Sequence, residues 1–179
     1  MLYVISLLVF LYSESFLNSL LAFKNFDLEK GDSLLNMAFF EADNFLKNDI
    51  LLIKEILARY RSKEEIKTIA EYYLRYYFGD SLKDASLDRL KEAKSDLTNY
   101  LKLLDCLLEE GKSFRTCKNF IDTMSDTLLI FHSSILMFKK FHRTQLTECL
   151  ELLNDLIRKY PQTPYSEIAS GYLGTIKFR

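Results

Sequence analysis

Leu156-Ile157-Arg158-Lys159-Tyr160-Pro161-Gln162-Thr163-Pro164-Tyr165, then Ala169 and Tyr172-Leu173-Gly174, is the stretch that decides the fold of this chain. Pro161 has no amide hydrogen and cannot continue a helix, so the segment before it must end. Thr163 can cap a new helix, and Pro164 suits its first position, where no amide donor is needed. Ala169 is small enough for two helices to approach closely. Gly174 is expected to let a neighbour pack against the backbone. The stretch therefore reads as two helices joined by a tight turn, about Thr144–Tyr160 and Pro164–Lys177.

Outward from this turn, the rest of the chain follows the same helical rule. Leu52–Tyr60 echoes Leu152–Tyr160, and Ile69-Ala70-x-x-Tyr73-Leu74 echoes Ile168-Ala169-x-x-Tyr172-Leu173. Paired apolar positions at equal spacing are what stacked helix hairpins require. Helices are expected over Phe16–Phe26 and over Gly31–Leu46, the latter capped by Asp32 or Ser33. A third runs to Tyr60 from a cap at Asp49, and a fourth begins at Ser62 and stops at Gly79. Ser62-Lys63-Glu64-Glu65 has the spacing of a capping box. Leu87, Leu90, Ala93, Leu97, Leu101, Leu104 and Leu108 give the longest periodic run, which Gly111 ends. A single helix from Phe114 to Phe141 is expected after it. No segment alternates at period two for long, so the fold class is all-α: antiparallel helical hairpins stacked as a solenoid.

Composition agrees. The 179 residues are 49% hydrophobic and 27% charged, with 5 Gly and 2 Pro. So few turn residues cannot build a sandwich or barrel. The net charge is −1, with acidic and basic residues interleaved, which disfavours nucleic acid as a partner.

The turn resembles the tetratricopeptide repeats of bacterial envelope proteins, in the families of the outer-membrane assembly lipoprotein and the periplasmic cell-division coordinator. Those families join repeats by a Tyr-Pro-x-Ser-x-Tyr turn followed by Ala and a Leu-Gly pair. The resemblance covers about residues 127–178. It implies that Cys149, Leu153, Leu156, Tyr160, Pro161, Pro164, Ala169, Leu173 and Gly174 define the repeat. It departs at Met137, where the repeat has a small residue, and at Lys140, where it has an aromatic one. Its implied function is docking of a protein or peptide, an envelope component, on a concave face lined by the first helix of each hairpin.

Residues 2–12, LYVISLLVFLY, are apolar and uncharged, and Ser13-Glu14-Ser15 follows. Residues 1–15 read as a signal peptide or signal anchor, without a basic n-region, leaving 16–179 as a single helical-repeat domain. This places the protein in the periplasm or cell envelope, associated with the membrane through its N-terminus. A transmembrane helix over 2–23 would carry Glu14 in mid-span. The remaining reading makes 2–23 the first buried helix of a cytoplasmic regulatory or assembly subunit.

Little here suggests catalysis. No phosphate-binding Gly-rich loop, nucleophile elbow or zinc spacing occurs, so neither enzyme chemistry nor a cofactor or metal is expected. His132 and His142 lie ten apart on a helix, on different faces, and are expected at the surface or half-buried. Cys149 is expected in the core. Cys106 and Cys117 flank Gly111 and could face each other across a hairpin, as a disulfide in an exported protein or as two unrelated thiols. Tyr72, Tyr76 and Tyr77, in the densest aromatic cluster, are either core or the wall of a partner groove.

Overall fold

In a computed structural model of the chain, which describes residues 14–79 and 95–176, nine helices and no strand occur among the described residues. The run at 2–12 and the periodic positions at 83–94 lie outside them. The chain gathers into two compact units, one up to Lys94 and the other from Ser95 onward.

Unit 1 contains α1 (Glu14–Lys24), α2 (Leu28–Glu41), α3 (Asn44–Arg59) and α4 (Lys63–Phe78). Phe16, Leu20 and Phe23 bury one face of α1. A three-residue turn with Phe26 in the left-handed region (φ 59°) sends the chain back as α2. Asp27 caps α2 by accepting from the Lys30 amide, so this helix starts before Gly31. It also ends at Glu41, five residues short of Leu46, because Asp43 caps α3 by accepting from the Leu46 amide at 2.8 Å. Asp49 is therefore interior to α3 and buried, not a cap. Gly31 is required by packing: a Cβ there would lie 2.8 Å from the Phe23 ring.

The capping box at the start of α4 is complete: Ser62 Oγ accepts from the Glu65 amide and Glu65 accepts from the Ser62 amide. Gly79, at φ 64°, ends the helix in the left-handed conformation that costs glycine least. α4 packs on α1, so the unit closes on itself as a four-helix arrangement.

Unit 2 contains α5 (Ser95–Leu108), α6 (Phe114–Asp122), α7 (Thr127–Phe141), α8 (Leu146–Lys159) and α9 (Pro164–Ile176). The single helix expected over Phe114–Phe141 is two helices with a break at 123–126. Asp96 explains the break. Its Oδ2 accepts from the Ser125 amide, the Ser125 hydroxyl and the Asp126 amide at 3.1, 2.8 and 2.7 Å. Asp126 then caps α7 through the Leu128 amide. Asp96→Ala removes the acceptor that holds this turn. It should lower the unfolding free energy by about 1–2 kcal/mol, read by urea denaturation; an unchanged midpoint would mean the turn holds without it.

α7 is the central helix, packed against α5, α6, α8 and α9. Nearly all of its residues are buried, as expected of a helix that is apolar all round. The Tyr160–Tyr165 turn packs against it through Phe131. Tyr160 closes α8, and Thr163 Oγ1 accepts from the Ser166 amide at 3.3 Å while donating to the Tyr160 carbonyl at 3.0 Å. Pro164 is the first residue of α9. The Phe131 ring of α7 lies 5.6 Å from Tyr160 and 5.2 Å from Tyr165, and Phe138 lies 5.7 Å from Tyr172.

Candidate interaction surfaces

The tyrosine cluster is internal to the fold. Tyr72 and Tyr77 are buried, at 1% and 5% exposure, and Tyr76 is half-buried. The Tyr77 hydroxyl donates to Asp49 Oδ2 at 2.9 Å, and its ring meets Phe16 edge-on at 5.2 Å and Tyr76 at 4.9 Å. Tyr72 carries the Arg75 guanidinium over its ring. Of the two readings of this cluster, core describes Tyr72 and Tyr77, because α4 buries residues on most of its circumference rather than on one stripe.

Cys106 and Cys117 are joined, with an S–S distance of 2.10 Å and Cα atoms 5.7 Å apart. Gly111 (φ 82°) reverses the chain between α5 and α6 and brings the two sulfurs together. Ser113 caps α6 by accepting from the Thr116 amide, which fixes where Cys117 falls on the helix. Cys149 is a buried free thiol on α8. Burial pushes it up to about 11, with the charge of Glu148 adding to the effect.

The repeat-defining positions divide by depth. Cys149, Leu153, Leu156 and Ala169 are buried, Tyr160 and Leu173 are half-buried, and Pro161 and Pro164 are exposed at the turn. Gly174 differs from expectation: a Cβ added there meets no described atom within 4 Å, so no close backbone contact requires it. The echo at Leu52–Leu74 agrees in burial at some positions and not at others: Leu57, Tyr60, Ile69 and Leu74 are buried, and Ile157, Tyr160, Ile168 and Leu173 are half-buried. Leu52, Ile53 and Ile56 are buried in α3 as Leu152, Leu153 and Leu156 are in α8, and Tyr73 matches Tyr172.

His132 is fully buried, contrary to its expected place at or near the surface, because it sits on the central helix. Its Nδ1 lies 2.8 Å from the Tyr100 hydroxyl, and the two rings stack. His142 is half-buried at the end of α7, against the Phe138 and Lys139 carbonyls. Sequence spacing alone could not separate these two histidines. The uncharged flanks of His132, Ile130-Phe131 before it and Ser133-Ser134-Ile135-Leu136 after it, against Lys139-Lys140 and Arg143 around His142, were the available signal. Among the described residues no three His, Cys, Asp or Glu side chains gather as metal ligands.

The open surface of unit 2 lies elsewhere. A groove of about 380 Å³ runs between α6 and α8. Phe114 and Leu152, both nearly buried, are its two apolar lining residues. Arg115 and Lys118 of α6 make one wall basic, while Glu148, Glu151 and Asp155 of α8 make the other acidic. Lys118 is paired with Asp122 and Asp155 with Arg158, so Arg115, Glu148 and Glu151 carry the charge that faces a visitor. α7, the first helix of the α7–α8 hairpin, is largely buried.

Compared with family models, curated proteins and solved structures, the chain matches none.

Proposed function

We propose that this chain is a non-enzymatic helical-repeat protein that docks a peptide or partner domain at the bacterial cell envelope. The observation that carries the reading is the α6–α8 groove, a largely polar channel between walls of opposite charge with Phe114 and Leu152 at its base. Such a channel selects its occupant twice. Phe114 and Leu152 reward an apolar side chain, and the two walls orient a segment that carries one acidic and one basic edge. The bond between Cys106 and Cys117 supports an oxidising compartment, where disulfides persist. The α7–α8–α9 arrangement, with Tyr160-Pro161 at its turn and Ala169 buried, supports the tetratricopeptide-like reading of the C-terminal unit.

The test is recovery of a partner from detergent-solubilised envelopes by the wild-type chain and by Glu148→Lys/Glu151→Lys. Reversing the acidic wall should weaken capture about tenfold, with helicity unchanged. Equal capture by the two chains would remove the groove from the function. A second reading, a cytoplasmic assembly subunit with residues 2–23 as its first helix, is favoured by the burial of Phe16, Leu20 and Phe23 in α1. Mass spectrometry of the mature protein separates the two: an intact Met1 in a cytosolic fraction selects the second.

A further inference from the structure

Lys47, Leu51, Lys54 and Ala58 recur every three or four residues on α3 and so form one stripe along it. Leu52, Ile53, Ile56 and Leu57, on its other side, are buried. Two contacts place the stripe beside α2. Lys54 Nζ donates to Asn36 Oδ1 at 2.7 Å, and Lys47 lies over the Phe39 ring. Phe40, one turn beyond Asn36 on α2, is 80% exposed, and Leu51 is 43% exposed. A phenylalanine this open gains nothing from the fold, since its ring is left in water. Just past α3, Arg61 Nε donates to the Ala58 carbonyl at 2.6 Å, which turns the guanidinium back toward the stripe. There the seam widens into a pocket of about 330 Å³. Phe23, Leu57 and Ile66, all nearly buried, line it, and Leu28 is 37% exposed at its edge. Lys54 and Arg61 line it too, against one carboxylate, Asp32.

Cations thus stand at Lys47, Lys54 and Arg61, each seven residues from the next, with apolar ground between them. Leu51 occupies the first gap, with Phe40 on the α2 side, and the pocket occupies the second. Among the described residues none of the three cations is ion-paired. We propose that this seam of unit 1 docks an acidic amphipathic helix of a partner protein. Spacing and charge both argue for it. Seven residues rise about 10.5 Å along a helix, so a helix laid along α3 presents its own side chains at the same interval. An acidic residue at every seventh position meets the three cations in turn. Apolar residues between them meet Phe40, Leu51 and the pocket. A basic helix would set like charges together. The track from 47 to 61 covers two heptads, about 21 Å. It uses no part of the α6–α8 groove, so the two surfaces stand or fall separately.

The probe is a labelled amphipathic peptide of about three heptads, with Leu on one stripe and Glu at every seventh position. Its counterpart carries Lys in place of each Glu. Fluorescence anisotropy with the full chain should show the Glu peptide binding at least about tenfold more tightly than the Lys peptide. Lys54→Glu should weaken the Glu peptide about tenfold and strengthen the Lys peptide, with helicity by circular dichroism unchanged. Lys47→Glu should act in the same direction, and Phe40→Ser should weaken the Glu peptide as well. Glu148→Lys/Glu151→Lys should bind it as the wild type does. Equal binding of the two peptides, no binding of either, or binding that Lys54→Glu and Phe40→Ser leave unmoved would overturn the proposal. A loss confined to Glu148→Lys/Glu151→Lys would place the peptide in the α6–α8 groove and overturn it too. Concentration-dependent sedimentation of the chain alone, abolished by Phe40→Ser, would assign the seam to a second copy instead.

Discussion

Phe131→Ala should lower the unfolding free energy of unit 2 by about 3–5 kcal/mol, the largest effect expected of a single side chain here. Phe131 is buried on the central helix, and its ring touches both Tyr160 and Tyr165, one on each side of the turn between α8 and α9. Truncation removes apolar area and leaves a cavity that two helices joined by a tight turn cannot easily close. The loss should appear in urea denaturation followed by circular dichroism. It should exceed that of Leu146→Ala, an exposed position on α8 where about 0.5 kcal/mol or less is expected. A loss at Phe131 no greater than at Leu146 would show that the turn does not lean on α7.

Breaking the Cys106–Cys117 link should cost about 3 kcal/mol, by the entropy that so short a loop returns to the unfolded chain. The two cysteines are 11 apart in sequence, and both are buried, so Cys106→Ala/Cys117→Ala is the suitable replacement. The same shift should follow from adding a reductant to the wild type, and the reductant should leave the double variant unmoved. A thiol count on unfolded protein should give one thiol per chain without reductant, Cys149, and three with it. Three thiols in both conditions would leave Cys106 and Cys117 as separate core residues. That result would also remove the support the link gives to an oxidising compartment.

Features that depend on neighbours in sequence were legible from sequence. Ser62 and Glu65 form their capping box within one turn, Gly79 ends its helix through its own backbone freedom, and Thr163 with Pro164 starts α9. The surface features were less so. The groove between α6 and α8 joins Arg115 to Glu148 and Glu151, residues no local pattern connects. The tyrosines at 72, 76 and 77 read as core or as the wall of a partner groove, since spacing along one helix does not tell how many of its sides are covered. Phe40 follows Phe39 in an apolar stretch of α2, and nothing in that local pattern tells that its ring is exposed.

By itself, the sequence determined that this protein is helical throughout the described residues, where several helices stop, and that a tight proline turn separates the last two. These follow from backbone chemistry acting over three or four residues. The tertiary structure decided three other matters. It closed unit 1 by returning α4 to α1, it split the helix expected over Phe114–Phe141 through Asp96, and it buried His132 and Tyr72 while leaving Phe40 in the open. Each depends on groups brought together from many residues apart, or on how many sides of a helix are covered, and helical periodicity carries no information about either.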